Sequence, residues 1–275
     1  MKGESKTLGE SRLFMGLRDI FAFPFAGLSG TIRPMSPYVA ELIGTALLIL
    51  LGDGVVANVV LAKTKGHASG WIVITAGWAM AVTLAVYAVG TISGAHLNPA
   101  VTLAMLSTGK FEAAKAGGYI LAQMAGAILG SVLVYLAYLP HWRATDDKAG
   151  KLAVFCTAPA IRHTPGNLSA EIIGTFVLVL GALALPRPEN LDAATGFSTG
   201  FGPLLVGLIV FAIGLSLGGP TGYAINPARD LGPRIAHALL PIPGKGPSDW
   251  GYAWIPVVGP VIGGILGALL FVWLW

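Results

Sequence analysis

Charge is what this chain has least of. Only 11% of its 275 residues are Asp, Glu, Lys or Arg, against about 25% in an ordinary soluble domain, so a water-facing globular surface is excluded. Cysteine is nearly absent too. Cys156 stands alone, which rules out an internal disulfide and a cysteine metal cluster. No nucleophile–base or metal-ligating constellation stands out, so neither an enzyme nor a bound cofactor or metal is expected. The first 18 residues carry charges throughout and lack an early apolar core, so no cleavable signal peptide is expected in them. The net charge of +4 fits basic residues flanking membrane surfaces and calls for no nucleic-acid partner.

What the chain has in abundance is apolar length. It is 55% hydrophobic and holds 38 glycines, a composition suited to helices packed closely in lipid. Several apolar runs exceed about 18 residues, enough to cross a bilayer. The reading is an all-α membrane protein with spans near 37–61, 71–89, 114–139, 168–185, 202–217 and 252–275. Short apolar pieces at 98–106 and 226–240 follow the second and fifth spans. Residues 140–167 are polar and read as a loop, and residues 1–36 as a polar tail that turns amphipathic, able to lie on a membrane surface.

The chain also repeats itself. Ala40-Glu41-Leu42-Ile43-Gly44-Thr45 returns as Ala170-Glu171-Ile172-Ile173-Gly174-Thr175, and Gly126-Ala127-Ile128-Leu129-Gly130 as Gly263-Gly264-Ile265-Leu266-Gly267. The channel domain is then 37–275, with repeat one at 37–139 and repeat two at 168–275. An odd number of spans per repeat inverts the second half in the membrane and places a shared site near the midplane. Each half carries an Asn-Pro-Ala: Ser93-Gly94-Ala95-His96-Leu97-Asn98-Pro99-Ala100-Val101-Thr102 and Thr221-Gly222-Tyr223-Ala224-Ile225-Asn226-Pro227-Ala228-Arg229-Asp230. Asn is a favoured N-cap and Pro a favoured first helical residue. A piece of about 10–14 residues is roughly 15–20 Å of helix, too short to span. Two such helices entering from opposite faces and meeting at Asn98 and Asn226 complete one crossing. Irregular backbone at that depth is tolerated only where it is buried or lines a wet cavity, so the pattern argues for a pore.

The remaining polar residues sort around that pore. With their side-chain oxygens capping, Asn98 and Asn226 point their amide N–H groups into it. Arg229 sits at a helix N-terminus, where a cation costs about 0.3–1 kcal/mol, and its depth adds about 2.5–3.5 kcal/mol on insertion scales. Its repeat mate is Val101, so the turn itself does not require it. A donor cluster facing a wet pore explains it, with a buried ion pair to Asp230 as the alternative. Glu41 and Glu171 are repeat mates expected to accept N–H groups from the irregular segments. Asp53 is expected near the far interface as a helix-end acid, and His96 to bond a neighbouring loop. Basic residues divide almost evenly between the two faces. The basic tail favours an N-terminus, and hence also a C-terminus, on the cytoplasmic side of the cell membrane.

At these residues the chain resembles the major intrinsic proteins, the aquaporins and glycerol facilitators, over residues 37 to the C-terminus. The resemblance implies six tilted helices with two re-entrant half-helices, assembled as a homotetramer with one pore per subunit. It maps the selectivity filter onto Trp78, Gly214, Tyr223 and Arg229, and pore-lining carbonyls onto Gly94, Ala95, His96, Gly222, Tyr223 and Ala224. Gly214 stands where water-selective members have His, which implies a wider, more apolar opening. Asp230, Arg234, Tyr138 and Pro256 also match the glycerol-conducting branch, whereas Tyr223 and Val257 depart from its usual Phe and larger aliphatic residue. The expected function is passive conduction of glycerol and other small neutral solutes, with water, excluding protons and ions. Strict water selectivity and coupled secondary transport are the rivals.

Overall fold

The computed structural model describes residues 35–187 and 197–275. The amphipathic tail reading, and Pro188 and Glu189 of the linker after the fourth span, lie outside the described residues. Ten helices form the described part: α1 (Pro37–Val60), α2 (Trp71–Ser93), α3 (Pro99–Ser107), α4 (Ala113–Ala137), α5 (Leu139–Ala144), α6 (Lys148–Phe155), α7 (Thr164–Ala184), α8 (Phe197–Leu217), α9 (Pro227–Leu239) and α10 (Ile255–Leu274). Six of them, α1, α2, α4, α7, α8 and α10, are long and apolar enough to cross a membrane. α3 and α9 are the short pieces, of 9 and 13 residues. The protein is an all-α, multi-pass membrane protein.

Packing repeats with the sequence. α1 packs on α4 and α2, and its mate α7 on α10 and α8, while α2 and α8 join the halves. The half-helices cross over: α3 packs chiefly on α10, and α9 on α4. Each repeat is therefore completed by a piece of the other. The α1–α4 and α7–α10 crossings are made by small residues four apart, which let backbones touch. A Cβ on Gly126 would lie 2.3 Å from Leu42 O, and one on Gly263 2.1 Å from Ile172 O. Gly130 and Gly267 repeat the contact against Ala46 O and Phe176 O, both at 2.6 Å.

The 140–167 loop is more structured than its composition suggests. Pro140 lies in the first turn of α5, and Asp147 caps α6 by accepting from Ala149 N at 2.9 Å. Trp142 and Phe155 are fully buried and stack with centroids 5.5 Å apart. They pack with Leu61, Val134 and Ala236 into a separate apolar cluster. α7 starts ahead of the expected 168, because the polar turn Thr-Pro-Gly-Asn is helical: His163 Nδ1 accepts from Gly166 N at 3.2 Å. A hydropathy reading passes over both features, since it scores polarity and not capping.

Replacing Gly263 with Ala is expected to force the α7–α10 backbones apart, at about 1–3 kcal/mol. Thermal unfolding of the purified protein in detergent measures it, and an unchanged melting temperature would contradict the close crossing.

Candidate functional site

The two Asn-Pro-Ala segments meet inside the fold. Asn98 Oδ1 accepts from Ala100 N at 2.9 Å. Asn226 Oδ1 accepts from Ala228 N at 3.0 Å and Arg229 N at 3.2 Å. Each amide nitrogen then crosses to the opposite half: Asn98 Nδ2 donates to Ile225 O and Asn226 Nδ2 to Leu97 O, both at 2.8 Å. One N–H of each amide is thus spent on joining the half-helices, which leaves one for a solute. The motif alone does not reveal this, because the acceptor belongs to the other repeat.

Ahead of each Asn the backbone runs through left-handed conformations. Gly94, Ala95 and Leu97 have φ of 80°, 47° and 50°, and Gly222, Tyr223 and Ile225 have 82°, 39° and 44°. Such angles are uncommon for residues with a side chain and persist only where the surroundings hold them. Two buried carboxylates do the holding. Glu41 accepts from His96 N at 3.0 Å and Leu97 N at 2.7 Å. Glu171 accepts from Ala224 N at 3.0 Å and Ile225 N at 2.8 Å. Ser93 and Thr221 add hydroxyl donors to Glu41 and Glu171, both at 2.6 Å. Gln123 Nε2 adds a further bond to Glu41 at 2.8 Å and one to Thr102 at 3.0 Å. The N–H groups point at carboxylates, and among the described residues no donor reaches the carbonyls of 94–96 or 222–224.

These segments form one side of a cavity of about 230 Å³. Gly94, Ala95, His96, Tyr223, Ala224 and both asparagines line it, facing an apolar wall that includes Leu48, Val82, Val86, Leu178 and Val210. Gly222 is not on the wall; it lies against Thr157. His96 turns its Nδ1 to Thr102 Oγ1, 3.1 Å away.

Trp78, Tyr223 and Arg229 also line the cavity, all at least nine-tenths buried. The Arg229 guanidinium lies 4.1 Å from the Trp78 ring centroid and donates to Phe155 O at 3.3 Å. That carbonyl is delivered by the 140–167 segment. Gly214 is not in the wall. A Cβ on it would lie 2.9 Å from Tyr223 Cζ and 2.7 Å from Thr75 Cγ2, and its carbonyl accepts from Trp71 Nε1 at 2.9 Å. The space that a side chain at 214 would fill is thus taken by the Tyr223 ring and by Thr75.

One alternative and one expectation about acids need correcting. Asp230 is not the partner of Arg229. It pairs with Arg234 at 2.8 Å and accepts from Thr157 N and Oγ1, both at 2.7 Å. Arg234, one helical turn on, takes Asp230, while the Arg229 guanidinium lies against Trp78 and Phe155 O. Asp53 is not a helix-end acid either. It lies inside α1, fully buried, 3.7 Å from Arg229 Nη1. Lys245 was not singled out from the sequence at all. Its ammonium donates to His237 O at 2.5 Å and to Ala238 O and Leu240 O at 2.7 Å, neutralising the carbonyl end of α9.

With this geometry in view, the comparisons with known proteins agree. The profile of the major intrinsic protein family matches residues 30–271. A probable glycerol uptake facilitator protein of Thermotoga maritima is 62% identical over 88% of this chain and 100% of its own length. The glycerol uptake facilitator protein of Bacillus subtilis is 57% identical over 86% and 84%. The crystal structure of the aquaglyceroporin from Plasmodium falciparum superposes with a TM-score of 0.75 at 30% identity, covering 85% of this chain and 93% of that one. The chain belongs to the major intrinsic protein family.

Glu171→Gln replaces an acceptor oxygen by a donor and leaves a buried N–H of 224 or 225 unpaired, at a cost of about 1–3 kcal/mol. A lowered melting temperature in detergent is the expected outcome. Glu171→Asp, which keeps both acceptors one methylene short, is expected to fall between the two.

Proposed function

We propose that this member of the major intrinsic protein family is a passive, bidirectional channel for glycerol and similar small uncharged solutes, with water also passing. The cavity's two-sidedness carries the reading. One wall offers carbonyls with no donor among the described residues and the amides of Asn98 and Asn226; the other is apolar. A polyol has the same two faces, hydroxyls along one edge and CH groups along the other. Trp78 and Tyr223 give its carbon side a surface while Arg229 donates to its hydroxyls.

Exclusion of ions and protons follows from the same groups. The N-termini of α3 and α9 bring their positive dipole ends to the centre, and the asparagine donors turn the oxygen of each passing molecule toward them. A continuous proton wire is thereby disfavoured. The residues with pore roles in this proposal are Asn98 and Asn226 at the centre, and Trp78, Tyr223 and Arg229 at the constriction with Gly214 seating Tyr223. The carbonyls of Gly94, Ala95, His96, Tyr223 and Ala224 form the ladder, with Gly222 turning its strand of backbone, and Glu41 and Glu171 support the two loops. The working unit of the proposal is a homotetramer in the cell membrane with both termini cytoplasmic, and residues 37–275 make up its channel domain.

Proteoliposome swelling in an inward glycerol gradient tests the substrate class. Flux clearly above that of empty vesicles, not saturating and indifferent to an uncoupler, is expected; flux equal to that of empty vesicles overturns the proposal. A Cβ at 214 already meets both the Tyr223 ring and Thr75, so Gly214→His is expected to push the Tyr223 ring toward the passage. Glycerol flux is expected to fall about tenfold or more and water flux much less, since one added contact in a tight pocket discriminates by about that factor. Equal losses would contradict the role given to Gly214.

A further inference from the structure

One buried charge has no part in the path just described. Asp53 is fully buried in the second half of α1 and is not on the cavity wall. Its Oδ1 lies 3.7 Å from Arg229 Nη1 and has no hydrogen-bond partner among the described residues. Its Oδ2 accepts from the Ser131 hydroxyl of α4 at 3.3 Å. The cavity touches Arg229 and Trp78, so the carboxylate stands behind the guanidinium as seen from the passage. Among the described residues Arg229 has no other acid in reach: Asp230 is taken up by Arg234 and Thr157, and Glu41 and Glu171 are taken up by loop N–H groups. The buried cluster thus holds two arginines and two aspartates, each cation with its own carboxylate.

A lone arginine in an apolar wall, next to the positive ends of two half-helices, would concentrate anions at the constriction. We propose that Asp53 is the counter-charge of the constriction: it cancels the field of Arg229 while leaving its N–H donors free for hydroxyls, so that small anions are turned away along with cations. The inference rests on the channel reading and makes Asp53 a specificity-determining residue that never touches the solute. Guanidinium donors survive whatever stands behind them; only the net charge changes. Coulomb energy at a few ångströms in a partly buried site is large enough for one such charge to decide whether an anion enters.

The test uses the full chain in proteoliposomes, with nitrate as the probe and valinomycin with potassium as the counter-ion path. Wild-type protein is expected to pass glycerol and to hold nitrate at the empty-vesicle rate. Asp53→Asn, which keeps the size and removes the charge, is expected to raise nitrate flux about tenfold or more, as one uncompensated buried charge permits. The double variant Asp53→Asn with Arg229→Gln is neutral again and is expected to return nitrate to the wild-type rate. Nitrate flux unchanged in Asp53→Asn overturns the proposal. So does a double variant as leaky as the single one, the signature of a constriction merely loosened. Where Asp53→Asn alone does not reach the membrane, the charge-balanced double variant is expected to recover insertion, and failure of both overturns the proposal. Absence of glycerol flux in the wild type sinks the channel reading itself; glycerol flux there, with no nitrate gain in Asp53→Asn, sinks only the counter-charge.

Discussion

Two carboxylates buried among apolar helices hold this structure's centre together. Left-handed backbone at 94, 95 and 97 and at 222, 223 and 225 turns N–H groups one way and carbonyls the other. In lipid, unsatisfied N–H groups cost several kcal/mol each. Glu41 and Glu171 absorb them, two per carboxylate. The carbonyls on the opposite side are thereby left for whatever occupies the cavity. The strained loop, the acceptor ladder and the placement of both asparagines follow from that one arrangement.

The reciprocal Asn98–Ile225 and Asn226–Leu97 bonds lock the two half-helices tip to tip. Neither half is complete without the other, since α3 leans on α10 and α9 on α4. The pair therefore works as a single continuous element assembled from both repeats. Symmetry stops where chemistry differs: Val101 and Thr102 in the first half answer to Arg229 and Asp230 in the second. The four charges of the buried Arg229–Asp53 and Arg234–Asp230 pairs are supplied by α1 and α9.

Much of this was legible in the order of residues. Six apolar runs, a repeat, and Asn-Pro at two helix starts are local patterns, and the helices begin and end within a few residues of where apolar length and capping put them. The two glutamates were legible because they recur with their context. The segment 140–167 was not, since its polarity concealed two short helices and a buried Trp142–Phe155 stack. The hydroxyls of Ser93 and Thr221 recur at the same place in both halves, and that recurrence is their signal in the sequence.

Span number, inverted halves and a polar meeting point at the membrane's middle were determined by the sequence alone, because hydrocarbon thickness and helix rise leave few other ways to place such runs. Only the tertiary structure decided the partners: Asp53 beside Arg229, the Phe155 carbonyl on the same guanidinium, Tyr223 seated on Gly214, each asparagine on the opposite carbonyl. Those contacts join residues far apart along the chain, and an ion pair or a hydrogen bond forms by distance and direction in space, which no spacing along one helix encodes.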